Sequence, residues 1–217
     1  IGKIVFSFAD PVEVYPRPDE PLRFRDDATY LITGGVGGFG RAVADWMIAH
    51  GARNLVVIGS REESAESARQ HFADRESQGV RVLARAVDVT DEAAVAGLFS
   101  EMDETLPPLR GVMHAAMKMD DGILKDLNPA RFRTVMGPKA GGAWNLHVQT
   151  CEMPLDFFVM FSSIASLIGN PGQGNYSAAN AYLDALADYR QSLHLPALTV
   201  NWGHLGGVGY VSRNAHV

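Results

Sequence analysis

The segment NYSAANAYLD, residues 175–184, carries a phenol and an amide four residues apart. Residues four apart share one face of a helix, so Tyr176 and Asn180 are expected to point into the same cleft. Ser163 precedes Tyr176 by thirteen residues and ends the apolar run FFVMFSS. Phenol, hydroxyl and amide groups exchange hydrogen bonds, and a phenol can also transfer a proton. These residue types indicate a site for proton transfer.

A glycine-rich turn lies closer to the start of the chain. The segment TGGVGGFG, residues 33–40, falls between a strand candidate and a helix candidate. Glycines there permit a tight turn and let backbone N–H groups approach a pyrophosphate at the helix start. The pattern G-x-G-x-x-G is met by Gly35, Gly37 and Gly40, and T-G-x-x-x-G-x-G by Thr33, Gly34, Gly38 and Gly40. The segment predicts dinucleotide binding without choosing between two dinucleotide-binding families.

The end of the second strand candidate, IGSRE, bears on which dinucleotide is bound. Sites for NAD usually carry an acidic residue there, whereas a cationic residue accommodates a 2′-phosphate. Ser60 and Arg61 stand in that place, which favours NADPH; in the alternative, Arg61 is a solvated surface charge. After the third strand, Asp88 and Val89 are placed to border an adenine, although Asp88 could equally cap a helix.

Strand and helix candidates alternate from Thr29 onward. The strand candidates are TYLIT, NLVVIG, VRVLARAVDV, LRGVMHAA, LDFFVMFSS and ALTVNWG, and a long helix candidate covers residues 129–150. This alternation predicts an α/β fold, a doubly wound parallel sheet in a Rossmann-like three-layer αβα arrangement. Such sheets bind ligands beyond the carboxyl ends of their strands, where the residues above fall. Trp144 and Leu146, in the long helix, are expected in the core.

Composition argues against several functional classes. With 217 residues, 47% of them hydrophobic and 20% charged, the chain reads as one soluble globular domain. A formal charge of −6 argues against a nucleic-acid surface, and the seven histidines show no metal-ligand spacing. No apolar run reaches the roughly 20 residues that span a membrane. The single cysteine, Cys151, cannot form an internal disulfide, so a cytoplasmic setting is the default.

Ser163, the intervening GNPGQGN and Tyr176 together resemble the short-chain dehydrogenase/reductase family, over about residues 29–203. That family commonly has a lysine four residues after the tyrosine, where this chain has Asn180. It commonly has an asparagine in the preceding helix, where this chain has Lys139. This exchange, with the segments HAA, PKAGGAWNLH and GNPGQGNYSAANAYLDALA, is similar to the ketoreductase domains of polyketide synthases.

The resemblance implies a role for each catalytic residue. Tyr176 would protonate a carbonyl oxygen, and Ser163 would orient that oxygen. A free phenol has a pKa of about 10, so Lys139 would favour the phenolate, besides holding the nicotinamide ribose. Asn180 would order the local hydrogen bonds, and NADPH would supply the hydride. The implied cofactor-binding residues are Thr33, Gly34, Gly35, Gly37, Gly38, Phe39, Gly40, Ser60, Arg61, Asp88, Val89, His114, Ala115 and Ala116.

Two stereochemical types are known among such ketoreductases. One carries a tryptophan eight residues before the tyrosine, where this chain has Ile168, and the other carries Leu-Asp-Asp before the long helix. Met119, Asp120 and Asp121 occupy the latter position, which implies the B type and a (3R) hydroxyl, with Gln173 as a further residue near the substrate. On the residues alone, the two aspartates could instead cap a helix.

The resemblance also implies a division of the chain. Residues 1–8 are similar to the tail of an enoylreductase domain, residues 9–27 form a proline-rich linker, and residues 28–217 form the NADPH-binding catalytic domain with an incomplete lid. The chain, which starts at Ile1, is expected to be a piece of a synthase. Its partners would be an acyl carrier protein bearing a phosphopantetheine-bound β-ketoacyl chain and other synthase domains. The alternatives are a free-standing reductase of small carbonyl compounds and a catalytically silent scaffold.

Overall fold

A computed structural model describes residues 22–203 of the protein. The expectations for residues 1–8, for most of the linker and for the lid therefore lie outside the described residues. Six strands form the sheet: β1 Thr29–Thr33, β2 Asn54–Gly59, β3 Arg81–Ala86, β4 Leu109–His114, β5 Phe157–Ser163 and β6 Leu198–Trp202. Each corresponds to one of the six strand candidates read from the sequence.

The strands form one parallel sheet in the order β3-β2-β1-β4-β5-β6. The chain winds outward from β1 in one direction and then returns to add β4 on its other side. This order confirms the predicted doubly wound α/β fold, and the change of direction between β1 and β4 opens a crevice at their carboxyl ends. Thr33 ends β1 and His114 ends β4, so both residues lie at that crevice.

Helices cover both faces of the sheet. They are α1 Gly38–Ala49, α2 Glu62–Phe72, α3 Glu92–Thr105, α4 Pro129–Met136, α5 Gly142–Thr150, α6 Ala165–Ile168 and α7 Gly174–Ser192. Alternation along β1 shows the layering, because Tyr30 and Ile32 pack with α1 and α2 while Leu31 packs with α3, α5 and α7. The result is the three-layer αβα arrangement that the sequence predicts.

The long helix expected over residues 129–150 is interrupted at its centre. Between α4 and α5 the five residues Gly137–Gly141 form a wider π-helical turn, called the π turn below. Pro138 has no N–H and its ring cannot fit against the carbonyl four residues earlier, which disfavours a continuous α-helix here. Wide turns of this kind occur often at functional sites. Here the turn carries Lys139.

One core prediction is wrong. Leu146 is fully buried, but Trp144 is 42% exposed on the outer face of α5, where its ring stacks with that of Tyr189 at 6.3 Å between centroids. The helical pattern predicts a single buried face, and Trp144 lies two residues from Leu146, on the other side of the helix.

Two glycines provide a matched test of the packing around the glycine turn. A Cβ added at Gly40 would lie 2.3 Å from the Gly34 carbonyl oxygen, whereas a Cβ at the exposed Gly97 of α3 would meet nothing within 4 Å. We expect Gly40→Ala to lower the free energy of unfolding by about 3 kcal/mol because neither backbone segment can yield. Gly97→Ala should raise it by about 1 kcal/mol through helix propensity. Urea unfolding measures both, and equal effects would contradict the tight packing.

Candidate active site

The start of α7 presents Tyr176 to the carboxyl end of the sheet. The helix begins at Gly174, so the half-buried Tyr176 lies in its first turn, and Asn180 is fully buried one turn later. The Asn180 side-chain amide donates to the Tyr176 carbonyl at 2.8 Å, and the Asn180 carbonyl accepts from the Ser162 hydroxyl at 3.3 Å. Asn180 thus joins α7 to β5. Its Oδ1 atom is buried and has no partner among the described residues.

Ser163 is the last residue of β5 and is half-buried. Its hydroxyl oxygen accepts a hydrogen bond from the backbone N–H of Ala165 at 3.2 Å, which ties it to the turn leading into α6. Because the oxygen is used as an acceptor, its own O–H remains available to a ligand.

Lys139 reaches the same place from the π turn. The side chain is 3% exposed, and Nζ donates to the carbonyl oxygen of Phe161 in β5 at 2.7 Å. Nζ also lies 5.4 Å from the centroid of the Tyr176 ring, within the range of a cation–π interaction. The structure therefore brings Lys139 and Tyr176 together from two different helical segments, as the exchange of lysine and asparagine implied.

Burial changes the protonation of Lys139. Loss of solvent lowers the pKa of its amine from 10.5 to about 7, and Asp184 acts in the opposite direction. The amine is therefore charged in part of the molecules at neutral pH and can gain or release a proton there.

His114 links the glycine turn to the π turn. Its imidazole is 1% exposed, with Nδ1 2.7 Å from the Thr33 hydroxyl oxygen and Nε2 3.1 Å from the Lys139 carbonyl oxygen. A carbonyl only accepts, so Nε2 carries the hydrogen and Nδ1 accepts from Thr33. The Thr33 oxygen in turn accepts from the Ala116 N–H at 3.3 Å. This relay of Thr33, His114 and the Lys139 carbonyl engages both ring nitrogens of His114, so the buried ring positions other groups.

The glycine turn has the form that an anion site needs. Gly34 adopts a φ of +70°, and a Cβ there would lie 2.8 Å from the Ala115 carbonyl oxygen, so the turn packs directly on the end of β4. Gly37 is the N-cap of α1 and has no side chain to bond the first N–H groups of that helix. Those N–H groups are therefore free to bind a pyrophosphate, and the residues fit a dinucleotide.

A groove next to this turn leads to the end of β2. It has a volume of about 640 Å³, and the residues that line it are Val36, Gly37, Gly38, Arg41, Arg61, Glu63, Ser64 and Ser67. Glu62 does not line the groove, because it forms an ion pair with Arg69 along α2. Arg41, whose Nε donates to the Val36 carbonyl at 3.0 Å, was missed by sequence reasoning. A cation in the first turn after a glycine loop is the signal that points to it.

The other residues expected at the cofactor do not line the groove itself. Phe39 packs edge-on against Trp202 at 5.3 Å and lies 5.2 Å from Phe161, so it joins α1 to β5 and β6. Asp88 accepts from the Thr90 N–H at 3.0 Å, while the cap of α3 is Asp91. The structure places Val89 in the core, Ser60 on the surface after β2, and Ala115 and Ala116 directly after β4.

The segment Met119–Asp121 lies beside the start of α7, where Asn175 and Gln173 contact it. Asp120 forms an ion pair with Arg131 of α4 at 2.6 Å, and the Asp121 carboxylate accepts from the Gln173 amide at 2.8 Å. Neither aspartate caps a helix, because Asn128 is the N-cap of α4, which removes that alternative. Ile168 is 77% exposed at the end of α6.

Two negative observations apply to residues 22–203. No group of three or more histidine, cysteine, aspartate or glutamate side chains lies together in a way that could hold a metal ion. No helix in this range combines the length and the apolar character needed to cross a bilayer.

Comparison with known proteins identifies the family. The KR domain family model matches residues 28–207. The chain belongs to this family. It is 39% identical over 216 residues to the highly reducing polyketide synthase phiA of a fungal species, and 40% identical over 219 residues to the highly reducing polyketide synthase PKS6 of Gibberella zeae. Those alignments cover 99% and 100% of this chain but only 8% of either synthase.

Solved structures agree with this assignment. A structure of A-type ketoreductases from a modular polyketide synthase superposes with a TM-score of 0.83 at 41% identity, covering 90% of this chain and 41% of that one. The chain is thus a polyketide synthase ketoreductase domain and an oxidoreductase by family. KR domains use nicotinamide cofactors, which agrees with the glycine turn and the groove beside it.

The relay through His114 predicts how stability depends on pH. Burial lowers the pKa of His114 from 6.5 to about 4, so the unfolded chain binds a proton between these pH values that the folded chain does not. Stability from this group is complete above pH 6.5 and is lost as the pH falls toward 4, by on the order of 3 kcal/mol. In His114→Gln the unfolding free energy should vary less with pH in that window. The exposed His194→Asn is the control, and an equal flattening there would contradict the assignment.

Proposed function

We propose that this ketoreductase domain reduces a β-ketoacyl thioester, carried on the phosphopantetheine arm of an acyl carrier protein, to the (3R)-β-hydroxyacyl thioester with NADPH. The observation that carries the proposal is the position of Lys139, whose amine is fixed to the Phe161 carbonyl and lies 5.4 Å from the ring of Tyr176. A buried amine beside a half-buried phenol at the carboxyl end of a parallel sheet is suited to proton transfer.

The catalytic residues divide the proton chemistry among them. The O–H of Ser163 donates to the substrate carbonyl oxygen and orients it, while Tyr176 delivers a proton to that oxygen. Lys139 stabilises the phenolate left behind, and its own pKa of about 7 lets it return a proton at neutral pH. The Oδ1 atom of Asn180 has no partner among the described residues. It accepts a hydrogen bond from the group that returns a proton to Lys139, such as a water molecule. A bound nicotinamide supplies the hydride that completes the reduction at the carbonyl carbon.

The choice of NADPH rests on charge at the groove beside β2. Arg61 and Arg41 line it, against a single carboxylate, Glu63. A 2′-phosphate carries up to two negative charges and accepts charge-assisted hydrogen bonds from guanidinium groups, which suits two arginines. Ser64 and Ser67 add hydroxyl donors at the same groove.

The relatives support the proposed substrate and partners. Both synthases named above are far longer than this chain, which covers 8% of either, so a substrate delivered by a carrier domain suits a domain of this kind. In this proposal residues 1–8 end an enoylreductase-like domain, residues 9–27 are a linker and residues 28–217 are the catalytic half of the ketoreductase. The synthase works in the cytoplasm, where NADPH is supplied.

The (3R) outcome rests on residues lining the cleft. Ile168 stands where A-type enzymes of the resemblance carry tryptophan, and Met119, Asp120 and Asp121 stand at the B-type position. The solved A-type structure shares the fold and 41% identity with this chain, but similarity across a whole domain does not determine which face of a carbonyl is presented. The local residues therefore weigh more heavily than the overall match.

Two other functions make different predictions. A free-standing reductase would turn over small ketones as well as carrier-bound thioesters. A catalytically silent scaffold would bind NADPH without turnover, and the proximity of the Lys139 amine to the Tyr176 ring counts against it.

Replacement of the phenol tests the reaction. Tyr176→Phe should lower kcat for a carrier-bound β-ketoacyl thioester by about 10²- to 10⁴-fold, because the proton donor is lost, while NADPH affinity stays nearly unchanged. The matched control is Tyr189→Phe, since Tyr189 is 46% exposed on the same helix. Both variants are assayed in the presence of the other half of a ketoreductase domain, which complements the catalytic half. The alcohol products are resolved by chiral chromatography. NADPH binding without turnover in the parent protein would favour the scaffold, and a (3S) product would refute the B type.

Replacement of Arg61 tests whether the site prefers NADPH to NADH. Arg61→Ala should weaken NADPH binding by about 10- to 100-fold and NADH binding little, because only NADPH carries the 2′-phosphate. Glu63→Gln is the matched variant in the same groove and should leave NADPH binding at least as tight. If Arg61→Ala weakened the binding of both cofactors equally, Arg61 would be a surface charge and not a ligand of the 2′-phosphate. A loss of NADH binding in Glu63→Gln would identify an NADH site.

A further inference from the structure

The segment Asp120–Gly122 is held from the side of α4 by one arginine. The Arg131 guanidinium bonds the Asp120 carboxylate through Nε at 2.8 Å and Nη2 at 2.6 Å. Nη2 also donates to the Asp121 carbonyl, and Nη1 donates to the Asp126 carbonyl at 3.3 Å. A Cβ at Gly122 would lie 2.5 Å from Nη1, so the guanidinium packs directly on the segment. Every nitrogen of the guanidinium is therefore engaged with residues 120–126.

The same segment is held from the side of α7 by one asparagine. The Asn175 side-chain amide donates to the Asp120 carbonyl at 2.9 Å and is 3.5 Å from the Arg131 carbonyl. Its Oδ1 accepts from the backbone N–H of Tyr176 at 2.9 Å. Asn175 is 0% exposed, so water does not compete for these bonds. One buried side chain thus connects the backbone of the segment to the backbone of the proton donor.

A third set of contacts joins the segment to the residues just before α7. The Gly122 N–H donates to the Gly172 carbonyl at 2.7 Å, and Gln173 donates to the Asp121 carboxylate at 2.8 Å. The resemblance places Asp120 among the stereocontrol residues. Its carboxylate is bonded to Arg131 within the protein.

We propose that Arg131 and Asn175 are positioning residues for stereocontrol. They fix the Met119–Asp121 segment against the start of α7 and so hold one wall of the cleft at a constant distance from Tyr176. Asp120 acts through this clamp, formed by Arg131, Asp120 and Asn175, whereas Met119 and Asp121 form the wall itself. The inference rests on the proposed reduction of a prochiral ketone, because it assigns the residues that determine which face of that ketone is presented.

The first measurement is the ratio of the two alcohol products. In Arg131→Met the ratio of major to minor alcohol should fall about tenfold, the equivalent of about 1.4 kcal/mol between competing transition states. Arg131→Lys should restore only part of it, since the donors of an ammonium sit on one nitrogen and lack the planar fork that reaches Asp120, Asp121 and Asp126 together. Asn175→Asp should lower the ratio likewise, because carboxylate oxygens would face the carbonyls of Asp120 and Arg131. The control is Arg133→Met, an exposed arginine of the same helix, with an unchanged ratio.

A role limited to stability would give a different result. It would lower the midpoint of urea unfolding and the yield of active protein while leaving the product ratio of the active fraction unchanged. That outcome in Arg131→Met and Asn175→Asp would overturn the inference.

Amide hydrogen exchange tests whether the clamp exists and does not require catalytic turnover. The N–H groups of Gly122 and Tyr176 should exchange about tenfold faster in Arg131→Met than in the parent chain or in Arg133→Met, because the segment that shields them is released. Unchanged exchange overturns the clamp. If the parent protein reduces no β-ketoacyl thioester, the proposed function fails, and the exchange rates still decide whether the clamp exists.

Discussion

The relay of Thr33, His114 and the Lys139 carbonyl is the constraint on which the site depends. It lies between β1 and β4, where the strand order reverses. A single imidazole there joins the end of β1, the end of β4 and the π turn. A neutral ring is required, since one nitrogen must donate and the other must accept. Burial supplies that neutrality, so the same absence of water that lowers the pKa of Lys139 also maintains the bonds that place it.

The cleft then assembles from elements that are far apart in the chain. Tyr176 and Asn180 come from one helix, Ser163 from a strand end and Lys139 from the helical turn before that strand. The Lys139 amine is tied to the Phe161 carbonyl of β5, and the Asn180 carbonyl of α7 accepts from the Ser162 hydroxyl of β5. Both ties end on β5, so the sheet fixes where the π turn and α7 meet. Such preorganisation suits a site where charge develops briefly.

Much of this architecture could be predicted from the sequence. The six strands are short, apolar and separated by helical patterns, and the glycine turn identifies the first crossover, so local signals were sufficient. The meeting of Lys139 with Tyr176 came from the resemblance, because no local pattern relates residues 37 positions apart. The exposure of Trp144 and the position of Arg41 could have been found from local signals, the helical period and the glycine loop. The bonds of Asn175 and Arg131 depend on packing between distant segments. No pattern within one segment encodes them, although each residue type is ordinary where it stands.

The π turn has a consequence for how such sites change over evolutionary time. An α-helix advances by about 100° per residue, so one codon gained or lost within the helix turns every later side chain by that angle relative to the earlier ones. The wide turn at Gly137–Gly141 accommodates an additional residue while α4 and α5 both keep their packing faces. A lineage can therefore bring a lysine into the cleft, or remove one, by a single in-frame insertion or deletion that leaves the core intact.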